Sequence, residues 1–279
     1  MVRASEKRQV VKQLVIEHQL SQRHACELVQ VSRSTVRYHP QDRTGEMKLI
    51  QAIRSLAEQH PSYGYRPVTR LLNRAGWLVN HKRVHRLWQQ EGLQLPRRKA
   101  HKRRVGTSTS TLHRATYPNH VWSYDFLEAR TERGGRLRML AVLDEYTRQC
   151  LAIEVERTFP ARKVLDLLEW LFLIHGRPAH LRSDNGPEFI ARMIQNWLAE
   201  QQCQTLYITP GSPWENPFIE SFIGKFKAEC LNRYWFVNGP EARQLVDLWR
   251  DEYNSFRPHS SLGYLTPDEF AQQVDTLSL

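Results

Sequence analysis

Cysteine is scarce in this 279-residue chain. The four thiols lie far apart and form no C-x-x-C pair; they are Cys26, Cys150, Cys203 and Cys230. This spacing argues against a disulfide framework and a cysteine-rich zinc site, and the twelve histidines have no cysteine partners at zinc-ligand spacing. We therefore expect free thiols in a reducing compartment.

Long apolar runs are also missing. The longest covers residues 165–174, but Asp166 and Glu169 interrupt it and it is too short to span a bilayer. No apolar signal segment follows the opening MVRASEKRQ, and no heptad pattern is long enough for a coiled coil. These absences predict a soluble, cytoplasmic protein without a membrane partner.

Acidic residues are few in the first third of the chain. Residues 1–104 contain 22 Lys and Arg against 7 Asp and Glu, a net charge of +15, whereas residues 105–279 contain 18 against 22, a net charge of −4. A strongly basic segment is typical of a region that binds a polyanion such as nucleic acid. We expect the first third to bind DNA and the remainder to carry the chemistry.

The basic third begins with a helical pattern. Apolar residues recur at helical spacing across residues 5–38, and Ser21 and Ser32 stand at N-cap positions before two short helices. We predict a helix-turn-helix unit over residues 1–41, although Gln30 occupies the turn, where glycine is common. The residues predicted to face the DNA groove or phosphates are Arg33, Ser34, Thr35 and Arg37.

Residues 46–104 predict a second helical DNA-binding unit. One helix is led by Pro67 and another is capped by Asn80. In the second of these, Lys82 and Arg83 are candidates for DNA contact. The basic tail LPRRKAHKRR is typical of phosphate contact, with a solvated linker as the alternative. The tail residues predicted to contact DNA are Arg97, Arg98 and Lys99.

The periodicity changes after residue 105. Apolar alternation predicts a three-strand meander in VWSYDFLEA and LRMLAVLDEYTRQCLAIEVE, with a turn at Gly134 and Gly135. Helical and strand patterns then alternate. We predict an α/β domain over residues 114–272, a mixed sheet flanked by helices and preceded by the all-α helix-turn-helix units.

Three acidic residues stand out by position. Asp125 lies within an apolar strand, Asp184 at the end of a later strand before an Asn-Gly turn, and Glu220 in a helix. A carboxylate in an apolar strand needs a partner, because an isolated charge is costly to remove from water. Three such carboxylates suit Mg²⁺ or Mn²⁺, which favour oxygen ligands. Each acid also has an alternative interpretation when it is considered alone: Asp184 only shapes the turn, and Asp125 and Glu220 are ordinary surface residues.

The chain resembles the OrfB-type transposases of bacterial insertion sequences in five ordered blocks: VWSYDF, LAVLDEYTR, RSDNGPEF, TPGSPWENPFIESFIGKFKAE and YNSFRPHSSLGYLTPDEF. The similarity also extends over the preceding helical units. It implies a retroviral-integrase-like core of the ribonuclease-H fold and the activity of a polynucleotidyl transferase.

The resemblance places the family's triad, with 35 residues between its second and third acids, on Asp125, Asp184 and Glu220. It places the family's basic residue on Lys227, on the same helix face as the glutamate, with an ordinary exposed lysine as the alternative. It implies that two Mg²⁺ or Mn²⁺ ions held by these acids support phosphoryl transfer. The resemblance further implies that water first frees a 3′-OH at the element end and that this 3′-OH then attacks a second phosphodiester.

The partners that the resemblance implies are double-stranded DNA, as element ends and as target, and further copies of the chain assembled on that DNA. A nucleoid-associated location follows. Members of the family often act as fusions to an upstream-frame product, which would be a further partner. Two alternatives stay open: a catalytically inert DNA-binding regulator, and a ribonuclease-H-class nuclease acting on RNA–DNA hybrids.

Four further features have two interpretations each. Asp144 either supports the site or shapes a turn, and Glu188 either lies behind the metal ligands or is a surface acid. Trp214 either packs or stacks on an unpaired base. The cluster at residues 257–259 either touches DNA or braces the last helix.

Overall fold

The computed structural model of the protein describes residues 4–37, 45–96, 114–183, 192–208 and 215–277. Within those ranges, none of the helices combines the length and the apolar character needed to cross a membrane. All four cysteines are free thiols, as their spacing predicted, and all four are buried.

The chain divides into two compact units, residues 1–51 and 52–279. The first unit contains α1 (Ala4–Glu17), α2 (Gln22–Leu28) and α3 (Arg33–Arg37). A small apolar core holds these three helices together. Its buried members are Val11, Ala25, Cys26 and Val36.

Capping explains where α2 and α3 begin. The hydroxyl of Ser21 accepts a hydrogen bond from the amide of His24 at 3.3 Å, and that of Ser32 accepts one from the amide of Thr35 at 3.2 Å. The turn between the helices places Gln30 in the left-handed region, at a φ of 51°. The three predicted helices therefore form even though glutamine, and not glycine, adopts this conformation.

Three more helices follow: α4 (Glu46–Gln59), α5 (Tyr65–Arg74) and α6 (His81–Gln90). Helix α5 begins two residues before Pro67, because proline is tolerated in the first turn of a helix. The predicted cap of α6 is confirmed, since the Asn80 side chain accepts a backbone amide hydrogen bond at 2.8 Å. The buried residues of α6 are Val84, Leu87 and Trp88.

A five-stranded sheet forms the centre of the second unit. Its strands are β1 (Val121–Arg130), β2 (Arg136–Asp144), β3 (Cys150–Glu156), β4 (His180–Ser183) and β5 (Gln204–Tyr207). The order across the sheet is β3-β2-β1-β4-β5. Strands β1 to β3 pair antiparallel, which confirms the predicted meander, whereas β4 and β5 continue the sheet in parallel from β1.

Helices cover both faces of this sheet. One face packs against α7 (Ala161–His175) and α8 (Arg192–Glu200), and the other against α9 (Pro217–Phe226) and α10 (Gly239–Ser255). Side chains alternate along each strand, so β1 and β2 contribute to both apolar layers. This architecture confirms the predicted mixed sheet flanked by helices.

The chain after α9 closes the second unit. A π-helix, Lys227–Leu231, continues α9, and α10 is followed by a 3₁₀ turn, Ser260–Leu262, and by α11 (Pro267–Leu277). Helix α5 contacts this C-terminal region, because Nη2 of Arg74 lies 2.6 Å from Oε2 of Glu269. The α5–α6 pair is thus attached to the C-terminal helices of the same unit.

Candidate active site

Asp125 lies at the middle of β1, on the face of the sheet that α9 covers. Its register partner on β2 is Ala141. Ala141 and Leu127 belong to the apolar layer that also contains Ile219 of α9. Alternate residues of a strand share a face, so the side chain of Asp125 points to the α9 side. It is half-buried, and its Oδ1 accepts a hydrogen bond from the amide of Phe126 at 2.7 Å.

Glu220 stands on the first turn of α9. Phe222 and Phe226 are buried against the sheet, whereas Glu220 is exposed beside this apolar stripe. Lys227, seven positions later, is also exposed and lies on the same side of the helix, since seven residues make nearly two turns. Because α9 packs on β1 and β2, Glu220 and Asp125 lie on the same side of the sheet.

The third predicted acid cannot be placed in the same way. Outside the described residues lie Asp184, Glu188, Trp214, Arg97, Arg98 and Lys99. Among the residues that are described, no three His, Cys, Asp or Glu side chains are grouped closely enough to hold a metal ion. Two of the three predicted acids therefore share one side of the sheet, and the complete triad stays a prediction.

Asp144, at the end of β2, serves the turn that follows it. The side chain is buried. Its carboxylate accepts hydrogen bonds from three backbone amides, those of Asn119 (2.7 Å), Tyr146 (2.7 Å) and Thr147 (2.9 Å). Burial raises the pKa of this carboxyl, while the three amides act to lower it. Of the two interpretations of Asp144, these contacts favour the turn.

A buried ion pair, which the sequence analysis missed, connects the ends of β2 and β4. Nε of Arg182 lies 3.1 Å from Oε1 of Glu145, and the two side chains are 4% and 0% exposed. The separation is that of an ion pair, although the N–H direction does not meet hydrogen-bond geometry. Nη1 of Arg182 also donates to the carbonyl of Glu215 at 2.6 Å. Burial raises the pKa of the Glu145 carboxyl to about 7, against the lowering effects of Arg182 and Ser123.

Arg148 extends this group of contacts to α9. Its guanidinium carbon lies 3.9 Å from the centre of the Phe218 ring, on the first turn of α9. Its Nη1 donates to the carbonyl of Glu145. Burial lowers the pKa of Arg148. The loop after β2 therefore contacts the start of the helix that carries Glu220.

The predicted DNA-contact residues of the described helices lie mostly at the surface. Thr35 is the exception, because it is half-buried and its hydroxyl lies 2.7 Å from that of Ser32, the cap of α3. The exposed members of the set are Arg33, Ser34, Arg37, Lys82 and Arg83.

The cluster at residues 257–259 braces the C-terminal region. Arg257 makes a two-pronged contact with Glu229 of the π-helix, with N–O distances of 2.7 to 3.1 Å. His259 is buried, and its ring packs edge-on against Tyr253 at 4.7 Å. Burial lowers the pKa of His259 to about 3, so its imidazole is neutral near pH 7. These contacts favour bracing over DNA contact.

Three protein families match parts of this chain, and the matched ranges follow the helical region and the sheet domain described above. An integrase core domain family matches residues 115–213, and a second integrase core domain family matches residues 201–267. An HTH-like domain matches residues 45–101, the region of the predicted second helical unit. The sheet and its helices thus coincide with the integrase core matches.

Several relatives are similar over most of their length. An uncharacterized 39.2 kDa protein of insertion element IS476 from Xanthomonas euvesicatoria is 36% identical over 97% of this chain and 78% of its own length. An uncharacterized 31.7 kDa protein of insertion element IS407 from Burkholderia multivorans is 36% identical over 90% of this chain and 91% of its own. The putative transposase InsK of IS150 from Escherichia coli is 30% identical over 76% of this chain and 78% of its own length.

A solved structure shows the same fold. The cryo-EM structure of a simian T-cell lymphotropic virus intasome, in complex with PP2A regulatory subunit B56 gamma, includes a chain with a TM-score of 0.53 at 15% identity, covering 78% of this chain and 74% of that one. The ribonuclease-H-like fold of retroviral integrases, which the resemblance implied, is thereby confirmed. The chain belongs to the insertion-sequence transposases with an integrase core domain, a class of polynucleotidyl transferases.

Proposed function

We propose that this transposase cleaves the ends of its insertion element and joins them to target DNA at a metal site formed by Asp125, Asp184 and Glu220. The observation that carries the proposal is that Asp125 and helix α9, which bears Glu220, lie on one side of the sheet. Membership of the insertion-sequence transposases supports the reaction class.

The place of Asp184 is inferred from the strand that precedes it. Ser123 of β1 pairs with Arg182 of β4 in a parallel register, an offset of 59 residues. If the same offset continued for two more residues, Asp125 would pair with Asp184, which lies outside the described residues. Partners across a parallel pair point to the same face, so this register would bring both carboxylates to the α9 side.

The donor set fits a hard divalent cation. All three ligands are carboxylates, which Mg²⁺ and Mn²⁺ prefer, and a bound cation stabilises the anionic form of half-buried Asp125 in its apolar strand. When bound, two such ions activate the attacking oxygen and stabilise the leaving oxygen of the phosphodiester. The sheet holds Asp125 rigidly, and Lys227, on the same side of α9 as Glu220, contacts a DNA phosphate.

Duplex DNA is the proposed substrate. The exposed basic residues of α3 and α6 contact its phosphates and groove, as in helix-turn-helix proteins. Because two element ends must be joined in one reaction, we propose that several copies of the chain assemble on the DNA.

The test uses the full chain with a labelled duplex that carries an element end, in Mg²⁺. We expect cleavage and strand joining by the unaltered chain and no reaction after chelation of the metal. Glu220→Gln is expected to lower the rate of cleavage and joining by more than about 100-fold. Removing a residue that only neighbours a metal ligand lowers activity by roughly 10- to 100-fold. The matched control is Glu200→Gln, which alters an exposed acid at the end of α8 and should react like the unaltered chain.

The two alternatives give different results in the same assay. An inert regulator binds the duplex equally with and without the divalent cation and leaves it uncut. A ribonuclease-H-class nuclease cleaves an RNA–DNA hybrid faster than it joins DNA strands. Cleavage that persists in Glu220→Gln removes Glu220 from the site.

A further inference from the structure

Arg182 contacts two other segments of the chain from within β4. Its Nε lies 3.1 Å from Oε1 of Glu145, which follows β2, and its Nη1 donates at 2.6 Å to the carbonyl of Glu215, just before α9. A guanidinium is planar and its donors point in fixed directions. Two contacts to different segments therefore fix where those segments lie relative to β4.

Glu145 is held to β1 by a separate backbone contact. Its amide donates to the carbonyl of Val121 at 3.0 Å. Ser123, on the same strand, is the register partner of Arg182. The Glu145 side chain has no solvent exposure. The ion pair thus joins β1, the end of β2, β4 and the approach to α9.

Each segment that carries a proposed metal ligand is reached by these contacts. Ser123 lies two residues before Asp125 on β1. Arg182 lies two residues before Asp184. Glu215 lies five residues before the acid of α9. Because alternate strand residues share a face, Ser123 and Arg182 point to the side on which Asp125 lies.

We propose that Glu145 and Arg182 are positioning residues whose buried ion pair sets the spacing of the three acids and thereby the affinity of the site for its divalent metal. The inference rests on the proposed function, since it concerns the same three acids. Both residues act through the segments that they join.

Stability alone does not account for a pair of this kind. Two charges removed from water regain little net free energy even when paired, and apolar residues of similar volume often stabilise a core equally well. What the pair adds is a defined geometry, because the planar guanidinium meets Glu145 and the carbonyl of Glu215 in one orientation. Loss of either charge weakens the electrostatic compensation of the other, which stays buried, and shifts the segments that hold it.

The test compares Glu145→Gln and Arg182→Lys in the full chain. Glutamine has the shape of the protonated acid. Lysine keeps the positive charge but lacks the planar set of donors with which Arg182 contacts both Glu145 and the carbonyl of Glu215. The matched control is Glu229→Gln, which weakens another buried pair, that with Arg257. The measurements are Mn²⁺ binding followed by electron paramagnetic resonance, thermal unfolding, and the Mg²⁺ concentration that gives half-maximal cleavage of element-end DNA.

We expect both variants to bind Mn²⁺ about 10- to 100-fold more weakly, as is typical when a neighbour of a metal ligand is lost. The half-saturating Mg²⁺ concentration should rise by the same factor while KM for DNA stays unchanged. Glu229→Gln should lower the melting temperature and keep the Mn²⁺ affinity of the unaltered chain.

Unchanged metal affinity in both variants overturns the inference, and so does an equal loss in Glu229→Gln. Unfolding of both variants below the assay temperature also overturns it, because the pair would then be needed for folding. Glu220→Gln separates the two claims. If it keeps metal binding and cleavage, the proposed function fails; if it loses both while Glu145→Gln and Arg182→Lys do not, only the positioning role fails.

Discussion

Arg257→Ala is expected to lower the stability of the second unit and to leave its affinity for DNA intact. Arg257 makes three contacts with Glu229, at 2.7, 2.9 and 3.1 Å, and the two side chains are 14% and 8% exposed. Its guanidinium also lies 5.3 Å from the centre of the Tyr63 ring. The alanine variant leaves the Glu229 carboxylate buried without its counter-charge.

The size of the effect follows from this burial. Removing one partner of a buried ion pair costs about 3–5 kcal/mol. Loss of the cation–π contact adds about 0.5–1 kcal/mol. In a unit of this size each kcal/mol lowers the melting temperature by about 2–4 °C, so the transition of residues 52–279 should fall by roughly 7–24 °C.

Calorimetry measures the transition, and fluorescence anisotropy measures binding to element-end DNA. The double variant Glu229→Leu with Arg257→Met, which removes both charges, should recover most of the lost stability. A melting temperature within 2 °C of the unaltered chain in Arg257→Ala, together with a loss of DNA affinity of about tenfold or about 1.4 kcal/mol, would refute the bracing role and favour DNA contact.

Three further predictions concern single side chains. The pKa of Glu145 is about 7 in the folded chain, above its ordinary 4.5. The contribution of this carboxyl to the free energy of unfolding is therefore complete below pH 4.5 and is lost as the pH rises through 7. The total change is about 3 kcal/mol. Denaturant titrations should show this slope and lose it in Glu145→Gln; an unchanged slope contradicts the assignment. Burial raises the pKa of Cys203 and Cys230 to about 12, so a thiol reagent should label neither before unfolding, and rapid labelling of the native chain would disprove their burial. Lys227→Ala should lower the slope of the logarithm of DNA affinity against the logarithm of salt concentration by about one. An unchanged slope would contradict the proposed contact between Lys227 and a phosphate.

Most secondary structure could be predicted because local patterns specify it. The meander, the helix α7 and the caps at Ser21 and Asn80 depend on alternation, helical spacing and polar side chains next to their own backbone. Pro67 predicts a later start of α5 than the structure has, because the proline lies inside the first turn of a helix that begins at Tyr65. Strand order was not predictable, because it depends on contacts between distant segments.

The candidate site was predictable only in part. Asp125 stands out as a charge in an apolar strand, and the same signal could have identified Arg182 in the short strand β4. Its partner Glu145 could not be identified, because the two residues meet only when β4 is placed beside β1. Its neighbour Asp144, which the sequence offered as a possible support of the site, accepts hydrogen bonds from the turn that follows it.

The most direct test of the metal site is single-turnover cleavage of element-end DNA in Mg²⁺ by Asp184→Asn. Asp166→Asn, which alters a half-exposed acid on α7, is the matched control. If the three acids hold the metal, Asp184→Asn binds the DNA normally and releases no cleaved strand, while Asp166→Asn cleaves at the rate of the unaltered chain. Cleavage by Asp184→Asn at that same rate would contradict the proposed site.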